Sequence, residues 1–423
     1  AALVMALLPC AALGESLGFR RVFTGGVALF VSASGLCALS PSLPWLVAAR
    51  FLQGLGGAAV MALGVALLRV VVPPQRLGAA IGWNALAVAL SSAAGPAIGA
   101  AILSGTSWPW LFAVNLPVGA AVLLATRALP DAGGTGRRVD RGSVALNAAT
   151  FASLVIGAEL LATKPAQAAV LVGTAAVMLV MLVRREMPRQ APLIPLDLLR
   201  AASFRMSVIA SVLCFSGVAA SLVALPFYLQ HGLGLNAWMT GMYMTPWPLT
   251  VAVAAPLAGR LANRVSTAWL CAAGGACLAT GLAAVALWPL RGHTLQLVML
   301  TMLCGLGFGF FQVPNNRNML LAAPGERSGA AGGMQGTARL VGQTAGAIIM
   351  TQLFTLTSVD AAPRIGLGIA AVLSLSVRIF ISSSRLPETT SCMSRSPISL
   401  RKPSLIRWAS KPLVRLSSPL VAV

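Results

Sequence analysis

The chain has 423 residues, 57% of them hydrophobic and 9% charged, with a mean hydropathy of +0.86. Soluble domains carry about 25% charged residues and are less than half apolar, which excludes a soluble globular enzyme, a disordered chain and a collagen-like one. Thirty Lys and Arg against nine Asp and Glu give a net charge of +21; in a soluble protein that would point to nucleic acid.

A bilayer core of about 30 Å needs about 20 mainly apolar helical residues. The sequence predicts such segments at 22–40, 43–72, 76–104, 109–129, 143–162, 167–183, 204–229, 238–262, 267–289, 293–314, 328–356 and 361–383. A shorter apolar stretch, 1–13, opens on Ala1. It has neither the basic flank nor the cleavage site of a signal peptide, so it reads as the end of a helix that begins earlier. The expectation is an all-α polytopic membrane protein of about 13 spans, the first partial. Beyond it, residues 384–423 read as a disordered tail rich in Ser, Pro and basic residues. A lipid-surface segment at 405–416 is the alternative for that tail.

Charge placement tests the topology. With the loop of Arg20 and Arg21 in the cytoplasm, alternation puts seventeen basic residues inside, the last of them Arg327. Only three fall outside, Lys164, Arg291 and Arg364. That bias is the positive-inside rule, so the predicted partner of the charge is a lipid bilayer and not nucleic acid. Seven cysteines and two histidines form no metal-ligand spacing, so no metal, cofactor or catalytic residue is assigned.

An internal repeat runs at an offset of 251: Pro73, Arg76, Gly78, Gly82 and Gly95 fall on Pro324, Arg327, Gly329, Gly333 and Gly346. The same offset sets 53–58 over 304–309, and at 248 the loop of Glu15 falls on that of Asn263. Two like halves are the mark of a duplicated transporter. They divide the chain into an N-terminal bundle at 1–129, an inserted helix pair with its linkers at 130–203, a C-terminal bundle at 204–383 and the tail.

Four stretches carry the chemistry. The first, 12–23, holds Gly14, Glu15, Gly18, Arg20 and Arg21, an acid and two cations where helices meet, able to clasp and release neighbours. In the second, Arg50 and Gln53 are a turn apart on one face, followed by Gly54 and Gly56, which permit close helix contact. An Arg within an apolar helix is costly enough to signal a task. Third, 82–100 places Gly82, Gly95, Pro96 and Gly99 along one helix; Pro96 removes a backbone bond and predicts a bend. The fourth is 107–119, SWPWLFAVNLPVG.

These stretches resemble the major facilitator superfamily, and most of all its fourteen-helix drug:proton antiporter branch. The resemblance implies two six-helix bundles, with 143–162 and 167–183 as an inserted pair. It further implies a cytoplasmic latch at Glu15, a proton-linked or closure role for Arg50, and an export-linked helix at 82–100. The sequence departs from the family at Ser91, Ala100 and Pro109, and Asn263 lacks the charge of a second latch. The family's first helix, with its acid, is not in the sequence, and Glu159 is the single acid left inside an apolar segment. The expected cavity residues are Asn84, Ser91, Ser92, Ser216, Gln335, Arg339 and Gln343. The expected function is proton-coupled efflux of amphiphilic or cationic small molecules across a bacterial inner membrane. A metabolite exporter of the same fold and a non-transporting remnant are the alternatives.

Overall fold

The computed structural model describes residues 2–130, 133–137, 139–161, 163–189, 192–287 and 294–383; the tail lies outside them, as do the side chains of some helical positions, among them Ser92, Pro96 and Glu159. Every regular element among the described residues is helical. In chain order they are α1 Ala2–Leu17, α2 Phe19–Ala38, α3 Leu43–Val71, α4 Pro74–Gly105, and the broken pair α5 Trp110–Ala113 and α6 Asn115–Ala125. Next come α7 Arg141–Leu160, α8 Pro165–Glu186, the single turn α9 Leu196–Leu199, and α10 Ala202–Phe227, which widens into a π turn at Tyr228–Gly232. The series closes with α11 Ala237–Met244, α12 Pro246–Leu261, α13 Thr267–Leu287, α14 Thr294–Ala322, α15 Ser328–Leu356 and α16 Ala361–Ser383. Among the described residues, seven helices are long and apolar enough to cross a membrane.

Helix starts follow the chemistry of free N–H groups. Proline occupies the first turn of α3, α4, α8 and α12, where its missing N–H costs nothing. Asp140 caps α7 by accepting from the Gly142 and Ser143 amides.

Two predicted boundaries were too short. α1 runs on to Leu17, and α14 continues past Pro314 to Ala322. The polar run 315–318 stays helical because its side chains are satisfied by neighbours. Asn315 donates to the Ser207 carbonyl at 3.1 Å and to Ser211 Oγ at 2.8 Å, and Asn318 donates to Ser207 Oγ at 2.8 Å. The 238–262 segment, conversely, breaks at Thr245, ahead of Pro246.

The repeat is structural. α3 and α14 are both 29 residues long and start and end 251 positions apart. α1 packs on α15, and α4 on α12, so each half lends a helix to the other. Both seams are glycine-lined. A methyl at Gly82 would stand 2.7 Å from the Ala255 carbonyl, and one at Gly329 would stand 2.9 Å from that of Ala11. The backbones touch there, and any larger side chain would part them.

Candidate functional site

The α1–α15 seam is fastened at Glu15 and the α4–α12 seam at Asn263, each beside an Arg-bearing loop. Glu15, at the end of α1, is 9% exposed. It accepts from Arg327 Nη1 at 2.7 Å and from the Ala330 amide at 2.6 Å, in the first turn of α15. Arg327 also holds Asp197 of α9 through two bonds of 3.0 Å and donates to the Pro192 carbonyl at 3.1 Å. Two-pronged Arg–carboxylate pairing fixes direction as well as distance. Burial alone would lower the Arg327 pKa; Asp197 and Glu15 outweigh it, so the guanidinium stays charged.

The linker straps the same loop, Thr135 and Gly136 donating to the Glu15 and Ser16 carbonyls at 2.9 and 3.1 Å. Gly18 turns there at φ +102°, a region that favours glycine, with Gly133 packed against it. At the other seam Asn263 donates to the Gln75 carbonyl at 2.9 Å and accepts from Arg317 at 3.1 Å. Between the seams, Arg69 of α3 donates to the Leu320 carbonyl of α14.

Beyond this fastening, toward the opposite end, lies a cavity of about 730 Å³. α4, α10, α11, α12, α14 and α15 supply its walls, mostly apolar, with Phe215, Phe308, Trp238 and Trp247 among them. Phe215 and Phe308 meet edge to face, centroids 5.5 Å apart. The polar groups are few: Thr245, Gln312, Arg339 and Gln343. Arg339 lies eleven residues into the 29-residue α15, about 16 Å along it at 1.5 Å per residue, which is mid-depth. A closed basic end and a mid-depth cavity are the two parts that an alternating-access device requires.

Near the opposite end of α3, Arg50 donates to Gln53 Oε1 at 2.6 Å, and Gln53 donates to Ser34 Oγ of α2 at 2.7 Å. The Arg50 guanidinium also lies over the Phe112 ring at 5.5 Å. Gly56 lets α2 approach, since a methyl would stand 2.6 Å from the Phe30 nitrogen. Gly54 faces Ala2, and Gly14 faces Leu63.

The predicted residues divide accordingly. Arg339 and Gln343 line the cavity. Ser216 does not; it is buried and returns its hydroxyl to the Val212 carbonyl. Asn84 and Ser91 are exposed on α4, outside the lining, while Gln335 sits a turn before Arg339 with its buried Oε1 unpartnered among the described residues. Glu15 of the expected latch reaches across to Arg327 of the second half. Gly82 is packed, Gly95 meets nothing within 4 Å, and Gly99 has a distant neighbour in Leu111. The bend expected from Pro96 lies outside the described side chains. Sequence reasoning missed Asp197 and the clasping role of Arg327. The repeat could have found the second, because Arg327 falls on Arg76.

A set of helices with this seal and cavity defines a multi-pass membrane transporter. The family model for the Major Facilitator Superfamily matches residues 1–347, and the chain belongs to that family. An uncharacterized transporter of Escherichia coli (strain K12), YebQ, is 41% identical over 92% of this chain and 86% of its own length. The tetracenomycin C resistance and export protein of Streptomyces glaucescens is 30% identical over 86% of this chain and 68% of its own. Among solved structures, the human organic anion transporter MFSD10 superposes with a TM-score of 0.68 at 15% identity, over 90% of this chain and 81% of that one. At that identity the likeness shows the fold alone.

Proposed function

We propose that the chain is a proton-coupled exporter of amphiphilic small molecules, of the fourteen-helix drug:proton antiporter branch, in a bacterial inner membrane. Its basic loops, at 12–21, 130–141, 184–203 and 315–327, face the cytoplasm. Two bundles rock about the mid-depth cavity, with α7 and α8 inserted between them in sequence. The observation that carries this reading is the aromatic cavity of about 730 Å³ above a basic end fastened by Glu15, Arg327 and Asp197. The export named for the Streptomyces relative agrees with it.

Internal symmetry supports the two-bundle layout. In the second half α10 packs on the glycine face of α15, where a methyl at Gly342 would stand 2.7 Å from the Val212 carbonyl and Gly346 touches Ser216. Among the described residues, the matching position of α4, Gly95, has no neighbour within 4 Å. In this layout a helix equivalent to α10 lies against it.

The test is efflux of a lipophilic dye from cells that lack their own pumps. Expression of the chain should lower dye retention, and collapsing the proton gradient should abolish the effect. Retention that is lowered equally without a gradient would remove the proton coupling. A chain that inserts and exports nothing would return the remnant reading.

A further inference from the structure

Among the described residues that line it, the cavity holds one ionised side chain, Arg339, and no carboxylate to balance it. α4, α10, α11, α12 and α14 contribute no carboxylate to its lining. Among the described residues Arg339 has no hydrogen-bond or ion-pair partner, and its guanidinium lies against the Phe215 ring at 5.6 Å. A cation at mid-depth in a bilayer is costly, and such residues serve a bound group or a partner. The attraction of one aromatic face offsets only part of that cost.

The geometry around Arg339 describes what would complete it. Gln335, Arg339 and Gln343 repeat every four residues and so share one face of α15. Gln343 lines the cavity beside the guanidinium, and Gln312 faces in from α14. A guanidinium presents a planar fork of donors that fits a carboxylate in two-pronged fashion. The remaining wall is aromatic, with Phe215, Phe308 and Trp247 offering ring faces and edges.

We propose that this cavity selects amphiphilic aromatic monoanions, the acid group on Arg339 and the ring system among Phe215, Phe308 and Trp247. The proposal rests on the exporter reading and adds to it the sign of the substrate's charge. A cation would meet like charge and no carboxylate. A neutral ring compound would leave the guanidinium unpaired, and a multiply charged anion would find a single cation in a largely apolar wall.

The experiment measures equilibrium binding to the full chain in nanodiscs of zwitterionic lipid, with three matched probes: naphthoate, naphthylmethanol and naphthylmethylammonium. Naphthoate should bind at least about tenfold more tightly than the ammonium probe, since charge-assisted bonds are the stronger ones. Arg339→Gln should erase that preference, while Arg339→Lys should keep its sign at reduced size and so show that loss is not misfolding. An ammonium probe that binds as tightly as the acid, or a Gln variant that keeps the acid preference, overturns the proposal. Efflux of naphthylmethanol, followed in parallel, reports on the exporter reading alone. Export without acid preference sinks the proposal and leaves that reading standing, whereas no binding and no efflux of any probe sinks both.

Discussion

Arg327 is surrounded by acceptors from three stretches of chain, Glu15, Asp197 and the Pro192 carbonyl. Removing a buried cation from such a cluster strands its acids, which costs about 3 kcal/mol or more. Arg327→Gln is therefore expected to loosen the basic end. A cysteine placed at Thr337, buried deeper in α15, should be shielded from a thiol reagent in the parent protein and react in the variant. Unchanged shielding would reduce the cluster to decoration. Arg50 makes a different case, because it works through Gln53 to Ser34 and ties α3 to α2. Arg50→Ala should abolish efflux without affecting membrane insertion, and Arg50→Lys should rescue poorly, since a point charge does not reproduce the fork. Normal efflux from the Ala variant would leave Arg50 as a simple interfacial anchor.

At the scale of elements, α7 and α8 are locked together at one end by ion pairs. Asp140, ahead of α7, accepts from Arg185 and Arg189 of the α8 end at 2.9 and 2.7 Å. Its hydrogen bond with Arg185, followed by that with Ser143, holds the carboxyl well below the usual carboxylate range. A depressed pKa in the folded state stabilises above the unfolded value and loses that contribution as the pH falls below it. The Tm should thus decline on acidification from about pH 4 downward, and Asp140→Asn should flatten that decline. An equally steep acid limb in the variant would assign it to other groups.

The elements themselves were legible because a lipid-facing helix must satisfy its own backbone, and long apolar runs announce that. The 251 offset in sequence likewise became two helices of equal length in matching register, α3 and α14. What the sequence hid were partners. Periodicity places Arg339 and Gln343 on one face but does not say that Ser216 turns back on Val212. Asp197, in a linker turn of four residues, shows no pattern, and it reaches Arg327 only through the fold of the whole chain.

Over the whole molecule, the halves meet at the basic end and the cavity lies beyond it. In the orientation proposed above, this arrangement would be a transporter closed on its cytoplasmic side. Cysteines at Gln75 and Asn263, in a background without native cysteines, should cross-link readily, because Asn263 Nδ2 stands 2.9 Å from the Gln75 carbonyl. The disulfide should halt efflux and a reductant should restore it. Full efflux from the cross-linked protein would mean that this seam never opens during transport.

The two seams are built alike but fastened unequally. One side has an ionic clasp of Glu15 and Arg327, and the other has a neutral amide at Asn263. Like a door with a bolt on one edge and a felt strip on the other, the cytoplasmic face should swing rather than lift. On that reading the α4–α12 edge would give way first and the α1–α15 edge would act as the pivot. Cargo entering from the cytoplasm would then be admitted at a definite azimuth, beside α4, and two copies of one ancestral fold would have acquired a front and a back through a single exchanged carboxylate.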